Sequence, residues 1–182
     1  MFTLNCRGRL LTVDKPLIMA IINLTPDSFY ENSRVQSGES LLKKAERFIR
    51  EGAGIIDIGG QSTRPGSEPV SAEEELNRVV PAIESIRSLD PGMIISVDTY
   101  YARVAEAAVQ AGASMINDVS GGADEAMFGT VAALQVPYIL MHMPGTLSNM
   151  HTKPVYNEFL KDILDYFIRK TGELNRAGAS GH

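Results

Sequence analysis

The sequence predicts an α/β fold of the TIM-type (β/α)8 barrel class, cut short after about five β-α units. Three observations carry this. Short apolar runs alternate with amphipathic segments along the chain, the pattern of a parallel sheet with crossover helices. A helix-end phrase recurs: Glu51-Gly-Ala-Gly-Ile-Ile-Asp-Ile-Gly-Gly60 is echoed by Gln110-Ala-Gly-Ala-Ser-Met-Ile-Asn-Asp-Val-Ser-Gly-Gly122, and Arg176-Ala-Gly-Ala-Ser180 begins it a third time. A full barrel of this class takes about 250 residues, and this chain has 182. An open, doubly wound sheet of five strands is the alternative.

The elements follow in order. Residues 1–13 alternate loosely around Arg7-Gly8-Arg9 and read as a short hairpin capping one end of the core. Leu17–Leu24 is the first buried strand; Thr-Pro-Asp-Ser ends it, because Pro26 donates no hydrogen bond and Asp and Ser favour turns. Thr25–Ser37 is a long polar connection. Gly38–Glu51 is a helix, with Leu41, Leu42, Ala45, Phe48 and Ile49 on one face. Ile55–Ile58 is a strand, and Gly59–Pro69 a second long loop. Ser71-Ala-Glu-Glu74 is a capping box that starts a helix, whose stripe (Leu76, Val79, Val80, Ile83, Ile86) contains Pro81, expected to kink or locally distort it. Met93–Val97 is the third strand, and Thr99 the expected N-cap of a helix carrying Val104, Ala105, Ala108 and Val109. Ser114–Ile116 is the fourth strand, Asp124–Leu134 a short helix, Val136–Met141 the fifth strand and His142–Pro154 a third polar loop. A last helix runs from about Tyr156 to Arg176.

Composition bounds the function. A hydrophobic content of 44% and a charged content of 21% suit one globular domain, read here as residues 1–182. A net charge of −5 without a basic cluster argues against a nucleic-acid partner. Cys6 is the only cysteine, so no internal disulfide forms, and a reducing, cytoplasmic setting is expected. No run approaches the ~18 apolar residues of a membrane span, and no membrane partner is expected.

Polar residues end successive strands: Asn23, Asp57, Asp98, and Asn117 with Asp118. In a parallel barrel these ends converge on one face, where ligands bind. Carboxylates and carboxamides with few histidines make a poor zinc site. They suit a small molecule rich in N–H and C=O groups, such as a pterin or purine. Asp98 could bond ring N–H donors, and Asn117 can donate and accept at once. Asn23 could ligate a hard cation such as Mg²⁺, although a strand-end asparagine more commonly bonds its own loop. Asp57 is read as a buttress for the glycine pair after it, and Asp118 similarly. Ser62-Thr63-Arg64-Pro65-Gly66 places a cation and hydroxyls on a glycine-rich loop, where Arg64 could pair with a carboxylate or phosphate or be a plain surface arginine. His142 is read as structural and Cys6 as a free thiol.

Taken together, Asn23-Leu-Thr-Pro-Asp-Ser-Phe29, Asp57-Ile-Gly-Gly-Gln-Ser-Thr-Arg-Pro-Gly66, Ser96-Val-Asp-Thr99, Ile116-Asn-Asp-Val-Ser-Gly-Gly122 and Leu140-Met-His-Met143 resemble the dihydropteroate synthases of the pterin-binding family. The resemblance runs from Leu17 to the end of the chain. It implies condensation of 7,8-dihydropterin-6-ylmethyl diphosphate with 4-aminobenzoate to give 7,8-dihydropteroate and pyrophosphate, in folate synthesis, with Mg²⁺ as cofactor. It implies that Asp98 and Asn117 hold the pterin, that Asn23 binds Mg²⁺ and that Thr63 contacts the diphosphate. Ser62, Arg64, Pro65 and Phe29 would form the 4-aminobenzoate pocket, where sulfonamides compete.

The chain also departs from the family. The later Asp-Pro-Gly segment, a lysine-bearing strand and a final Arg-x-His are absent, as is the region through which the parent protein is expected to form a homodimer. The 182 residues alone are therefore expected to be inactive or very weak, and to expose two bare strand edges. Pro144 replaces the longer polar or basic residue more usual in the family. Competing readings are a folate-binding methyltransferase domain and a non-catalytic pterin-binding fragment.

Overall fold

A computed structural model describes residues 1–24, 34–61, 70–145 and 155–179. Two antiparallel strands open the chain, β1 (Phe2–Cys6) and β2 (Arg9–Val13), joined at Arg7-Gly8, both with positive φ. Five parallel strands follow: β3 (Met19–Asn23), β4 (Ile55–Gly59), β5 (Ile94–Asp98), β6 (Met115–Asp118) and β7 (Tyr138–Leu140). Between and after them run α1 (Arg34–Arg50), α2 (Ala72–Leu89), α3 (Ala102–Ala111), α4 (Met127–Leu134) and α5 (Phe159–Arg176).

The strand order is β3-β4-β5-β6-β7, the order of the chain. A doubly wound sheet reverses direction at a switch point; this one never does. The described sheet is thus five consecutive staves of a TIM-type barrel, and the open-sheet alternative falls.

Alternation divides each strand between two cores. Ile22, Ile56, Ile58, Ile95, Val97 and Ile116 face the helices and pack with Val79, Ile83 and Ile86 of α2 and Val104, Ala105 and Ala108 of α3. Each of these isoleucines and valines contributes about 1.5–3 kcal/mol by leaving water. On the inner face, Ile55, Ile94 and Met115 sit at the strand starts and are capped by Cys6, Leu4 and Leu11 of the hairpin. The hairpin's capping role follows, and Cys6 is a buried free thiol. This seals one end of the inner face with apolar groups and leaves its polar residues at the other.

The recurring helix-end phrase is one local geometry used three times. Gly52, Gly112 and Gly178 all take positive φ, where a Cβ would be strained. The next amide in each case reaches back five residues, Ala53 to Phe48 O at 2.9 Å, Ala113 to Ala108 O at 2.9 Å and Ala179 to Leu174 O at 3.1 Å. This is the Schellman closure, and after α1 and α3 it turns the chain from the helix toward the next strand.

Two expectations change. Helix α1 begins at Arg34 rather than Gly38; a glycine inside a helix costs only about 1 kcal/mol and does not end it. Pro81 lies inside α2, which extends on both sides of it from Ala72 to Leu89. Thr99 is not the N-cap of α3: the cap position is Tyr101, and the Asp124 carboxylate, from the segment before α4, accepts from Ala102 N at 2.9 Å. Ser71 caps α2 as expected, accepting from Glu74 N at 3.2 Å, while Glu74 turns away to pair with Arg78.

Candidate functional site

The register of the sheet builds the site. Asn23 pairs with Gly59, Gly59 with Asp98, Asp98 with Asn117 and Asn117 with Ile139. These residues form one row across the strand ends on the inner face, neighbours about 4.8 Å apart. The row below holds Ile21, Asp57, Ser96 and Met115. A polar rim thus stands over a mixed layer, above the apolar floor that the hairpin caps.

Gly59 gives the row its shape. A Cβ there would lie 3.2 Å from Asn23 Oδ1 and 3.4 Å from Asp98 Oδ2. The missing side chain lets two oxygens from strands on either side converge above one backbone position. The oxygen of Asn23, exposed at the rim, is a hard donor beside a carboxylate. Among the described residues no three His, Cys, Asp or Glu gather to hold a metal ion. A cation taking one or two protein oxygens and keeping its waters, as Mg²⁺ does, fits this donor set; a caged transition metal does not.

The carboxylates interact. Burial pushes Asp98 up to about 7, reinforced by the charges of Asp57, Glu75 and Asp118. Asp98 therefore exchanges a proton near neutrality and can meet a ring nitrogen as acceptor or donor. Asp57 is raised by its own burial, with Ser96 and Asn117 pulling back. Its Oδ2 accepts from Asn117 Nδ2 at 3.1 Å, across the intervening strand. The buttress reading of Asp57 is thus corrected: the side chain lies on the inner face and holds Asn117, not the glycine pair. Strand parity decides this, since Asp57 shares a face with Gly59.

Asp118 does have the structural role expected of it. Its oxygens accept from Ser120 N (2.7 Å), Ser120 Oγ (2.7 Å), Gly122 N (2.9 Å) and Tyr138 OH (2.7 Å). It ties the loop after β6 on the helix side, and its neighbour Asn117 faces the ligand side. His142 lies among Tyr156, Tyr166 and Phe167, in keeping with a structural residue.

Glu75 was not a sequence candidate. It is 0% exposed, and neither carboxylate oxygen forms a well-shaped hydrogen bond among the described residues. Burial raises it to about 7, with Thr99 and Arg78 pulling back. The only sequence signal was a third glutamate in a first helical turn, where two exposed ones precede it.

Phe29, Ser62, Thr63, Arg64 and Pro65 lie outside the described residues. The chain on either side of 62–69 is nonetheless anchored beside Asp98. Tyr100 OH donates to Gln61 Oε1 at 2.7 Å, Arg78 Nη1 to Gly60 O at 2.7 Å and Tyr101 OH to Val70 O at 3.0 Å. The segment before Phe29 leaves β3 at Leu24, whose N–H bonds Gly59 O at 2.8 Å.

Comparison with known proteins agrees with this geometry. The family described as pterin binding enzyme matches residues 19–181. The folic acid synthesis protein of Schizosaccharomyces pombe is 49% identical over 154 residues, 84% of this chain and 20% of that protein. The dihydropteroate synthase of Bacillus subtilis is 47% identical over 152 residues, 83% of this chain and 50% of that protein. The solved structure of Xanthomonas albilineans dihydropteroate synthase with 4-aminobenzoic acid superposes with a TM-score of 0.86 at 40% identity, over 98% of this chain and 63% of that one. The chain thus spans half or less of these two relatives and under two thirds of the solved neighbour. No described helix is long and apolar enough to cross a membrane.

Proposed function

We infer the function from one premise: this chain belongs to the pterin-binding enzyme family, whose match spans residues 19–181. On that premise its residues are the pterin-binding portion of a dihydropteroate synthase. The protein joins 7,8-dihydropterin-6-ylmethyl diphosphate to 4-aminobenzoate, breaking the C–O bond to diphosphate and forming a C–N bond to the arylamine. The observation that supports this most is the row Asn23–Gly59–Asp98–Asn117 on one inner face.

Each residue has a share. Asn117 and Asp98 bond the donor and acceptor edge of the pterin. Asp98, half-buried, offsets the positive charge that develops on the pterin as the diphosphate leaves. Asn23 holds Mg²⁺, which when bound would neutralise the departing pyrophosphate. Thr63 contacts the diphosphate, while Ser62, Arg64, Pro65 and Phe29 receive the 4-aminobenzoate ring and carboxylate, the position at which sulfonamides compete. That a solved neighbour at 40% identity carries 4-aminobenzoic acid supports the second substrate. The same reading places the protein in the cytoplasm, as part of a homodimer, with no nucleic-acid partner; its net charge of −5 supports the last point.

The test is calorimetric titration with 6-hydroxymethyl-7,8-dihydropterin, followed by an assay of pyrophosphate release dependent on 4-aminobenzoate. Asp98→Ala and Asn117→Ala are each expected to weaken the pterin by about tenfold or more, the cost of one lost hydrogen bond to a charged or buried partner. An affinity unchanged in both variants would sink the reading.

A further inference from the structure

An asparagine side chain offers a ligand two faces. Rotated half a turn, its carbonyl and amino groups change places, and so does the ligand edge it recognises. What prevents that rotation decides what the site reads. For Asn117 the restraint is Asp57. Asp57 Oδ2 accepts from Asn117 Nδ2 at 3.1 Å, although the residues stand on β4 and β6 with β5 between them. The contact crosses β5 at Ser96, whose small buried side chain leaves the space open. Asp57 is 2% exposed, so its carboxylate is shielded from bulk solvent.

An ionised carboxylate only accepts. It therefore takes the nitrogen end of the amide and refuses the oxygen end, and the wrong rotamer would set a carbonyl against a carboxylate in a dry interior, a costly arrangement. We propose that Asp57 is a positioning and specificity residue: it holds Asn117 with its nitrogen committed inward, so that a carbonyl oxygen and one N–H, in a single order, meet the ligand. The proposal rests on the pterin reading above for the identity of the ligand, but the restraint itself does not.

The experiment is a double-mutant cycle on the whole chain. The affinity for 6-hydroxymethyl-7,8-dihydropterin is compared in the wild type, Asp57→Leu, Asp57→Asn, Asn117→Ala and the Asp57→Leu/Asn117→Ala pair. In parallel, the ¹⁵N–¹H signals of the Asn117 side-chain amide are followed without ligand. Asp57→Leu is expected to weaken the pterin about tenfold in the wild-type background and to add nothing once Asn117 is alanine. Asp57→Asn keeps a carbonyl acceptor of the same size and should recover most of the loss. The ligand-free amide should show one bonded N–H protected from exchange, with the protection gone in Asp57→Leu. Equal losses in both backgrounds would overturn the proposal, as would a wild-type affinity in Asp57→Leu. If the wild type binds no pterin, the functional reading fails and the amide signals alone decide: protection lost with Asp57 supports the restraint, and unchanged protection overturns it. Should Asp57→Leu fail to fold, Asp57→Ser, too short to reach Asn117, takes its place.

Discussion

A Cβ on Gly60 would lie 2.7 Å from the Cγ of Glu75 and 3.0 Å from Cγ1 of Val79. Gly59 and Gly60 look in opposite directions along one strand end: the first leaves room for Asn23 and Asp98, the second for a carboxylate sealed beneath α2. This pair of glycines separates the ligand face from the helix face, and the two positions should respond differently to substitution.

Gly60→Ala is expected to destabilise the fold by about 1–3 kcal/mol, because the buried Glu75 stem cannot retreat and packed interiors resist added volume. Gly129→Ala, in α4 with nothing within 4 Å of its Cβ position, should instead stabilise by about 0.5–1 kcal/mol. Urea unfolding midpoints at constant m separate the two.

Gly59→Ala meets side-chain atoms, Asn23 Oδ1 at 3.2 Å and Asp98 Oδ2 and Cβ at 3.4 and 3.5 Å. Its cost in stability should be about 1 kcal/mol, at the low end for added volume at a buried site because only the Asn23 and Asp98 side chains must give, while pterin affinity falls several-fold as those two are pushed from their row. Calorimetry at matched folded fraction shows whether binding falls ahead of stability.

The pH dependence of stability should carry Glu75's signature. Its carboxyl is raised from 4.5 to about 7 in the fold. The folded state therefore holds a proton that the unfolded state releases, and stability falls as pH rises between 4.5 and about 7. The contribution is present in full below pH 4.5 and lost above 7, on the order of 3 kcal/mol by linkage. Glu75→Gln, neutral and similar in shape, should flatten that part of the curve. An unchanged slope in chemical denaturation from pH 5 to 8 would show that Glu75 keeps its charge when folded.

Adjacent residues of β6 should fail in different ways. Asp118→Asn keeps one acceptor oxygen but sets an amino group against one donor pair, either the amide and hydroxyl of Ser120 or the Gly122 amide and the Tyr138 hydroxyl. A loss of about 2–4 kcal/mol is expected, with Tyr138→Phe costing about 1 kcal/mol and coupling to it. Asn117→Ala, which removes one donor from the buried Asp57, should cost less stability, about 1–2 kcal/mol, and weaken the ligand about tenfold or more. Reversed results would mean that the two faces of β6 have been assigned the wrong way round.

Helix α5 leaves Leu160, Leu164 and Ile168 exposed at 79%, 58% and 60%, one turn apart on a single stripe. Such an uncovered stripe promotes association, so sedimentation of this chain should be concentration-dependent. Leu164→Glu with Ile168→Glu should restore monomers without altering the α2–α3 core, read from unchanged far-UV circular dichroism.

Local signals were legible in the sequence. The three Gly-Ala helix ends, the Ser71 cap and the apolar runs each depend on neighbours a few residues away, and each appears where local chemistry puts it. The polar ends of β3, β5 and β6 were legible too, because a strand that meets a ligand stops being apolar at its last residue; β4 instead runs two residues past Asp57 to Gly59. Thr99 misled because capping was sought next door, whereas the carboxylate that caps α3 comes from Asp124, 22 residues on.

What the sequence by itself determined is the set of elements, their order and the polar ends of β3, β5 and β6. What only the tertiary structure decided is the direction in which those residues point. Ile55–Ile58 and Ile94–Val97 are buried on both faces, so they carry no polar–apolar alternation to mark inside from outside. Asp57 and Asp118 look alike in such a run. Pairing with the next strand sets the register, the register sets parity, and parity turns Asp57 toward Asn117 and Asp118 toward the helices. Burial of Glu75 is likewise a matter of how α2 lies against Gly60, a contact between segments that no local pattern encodes.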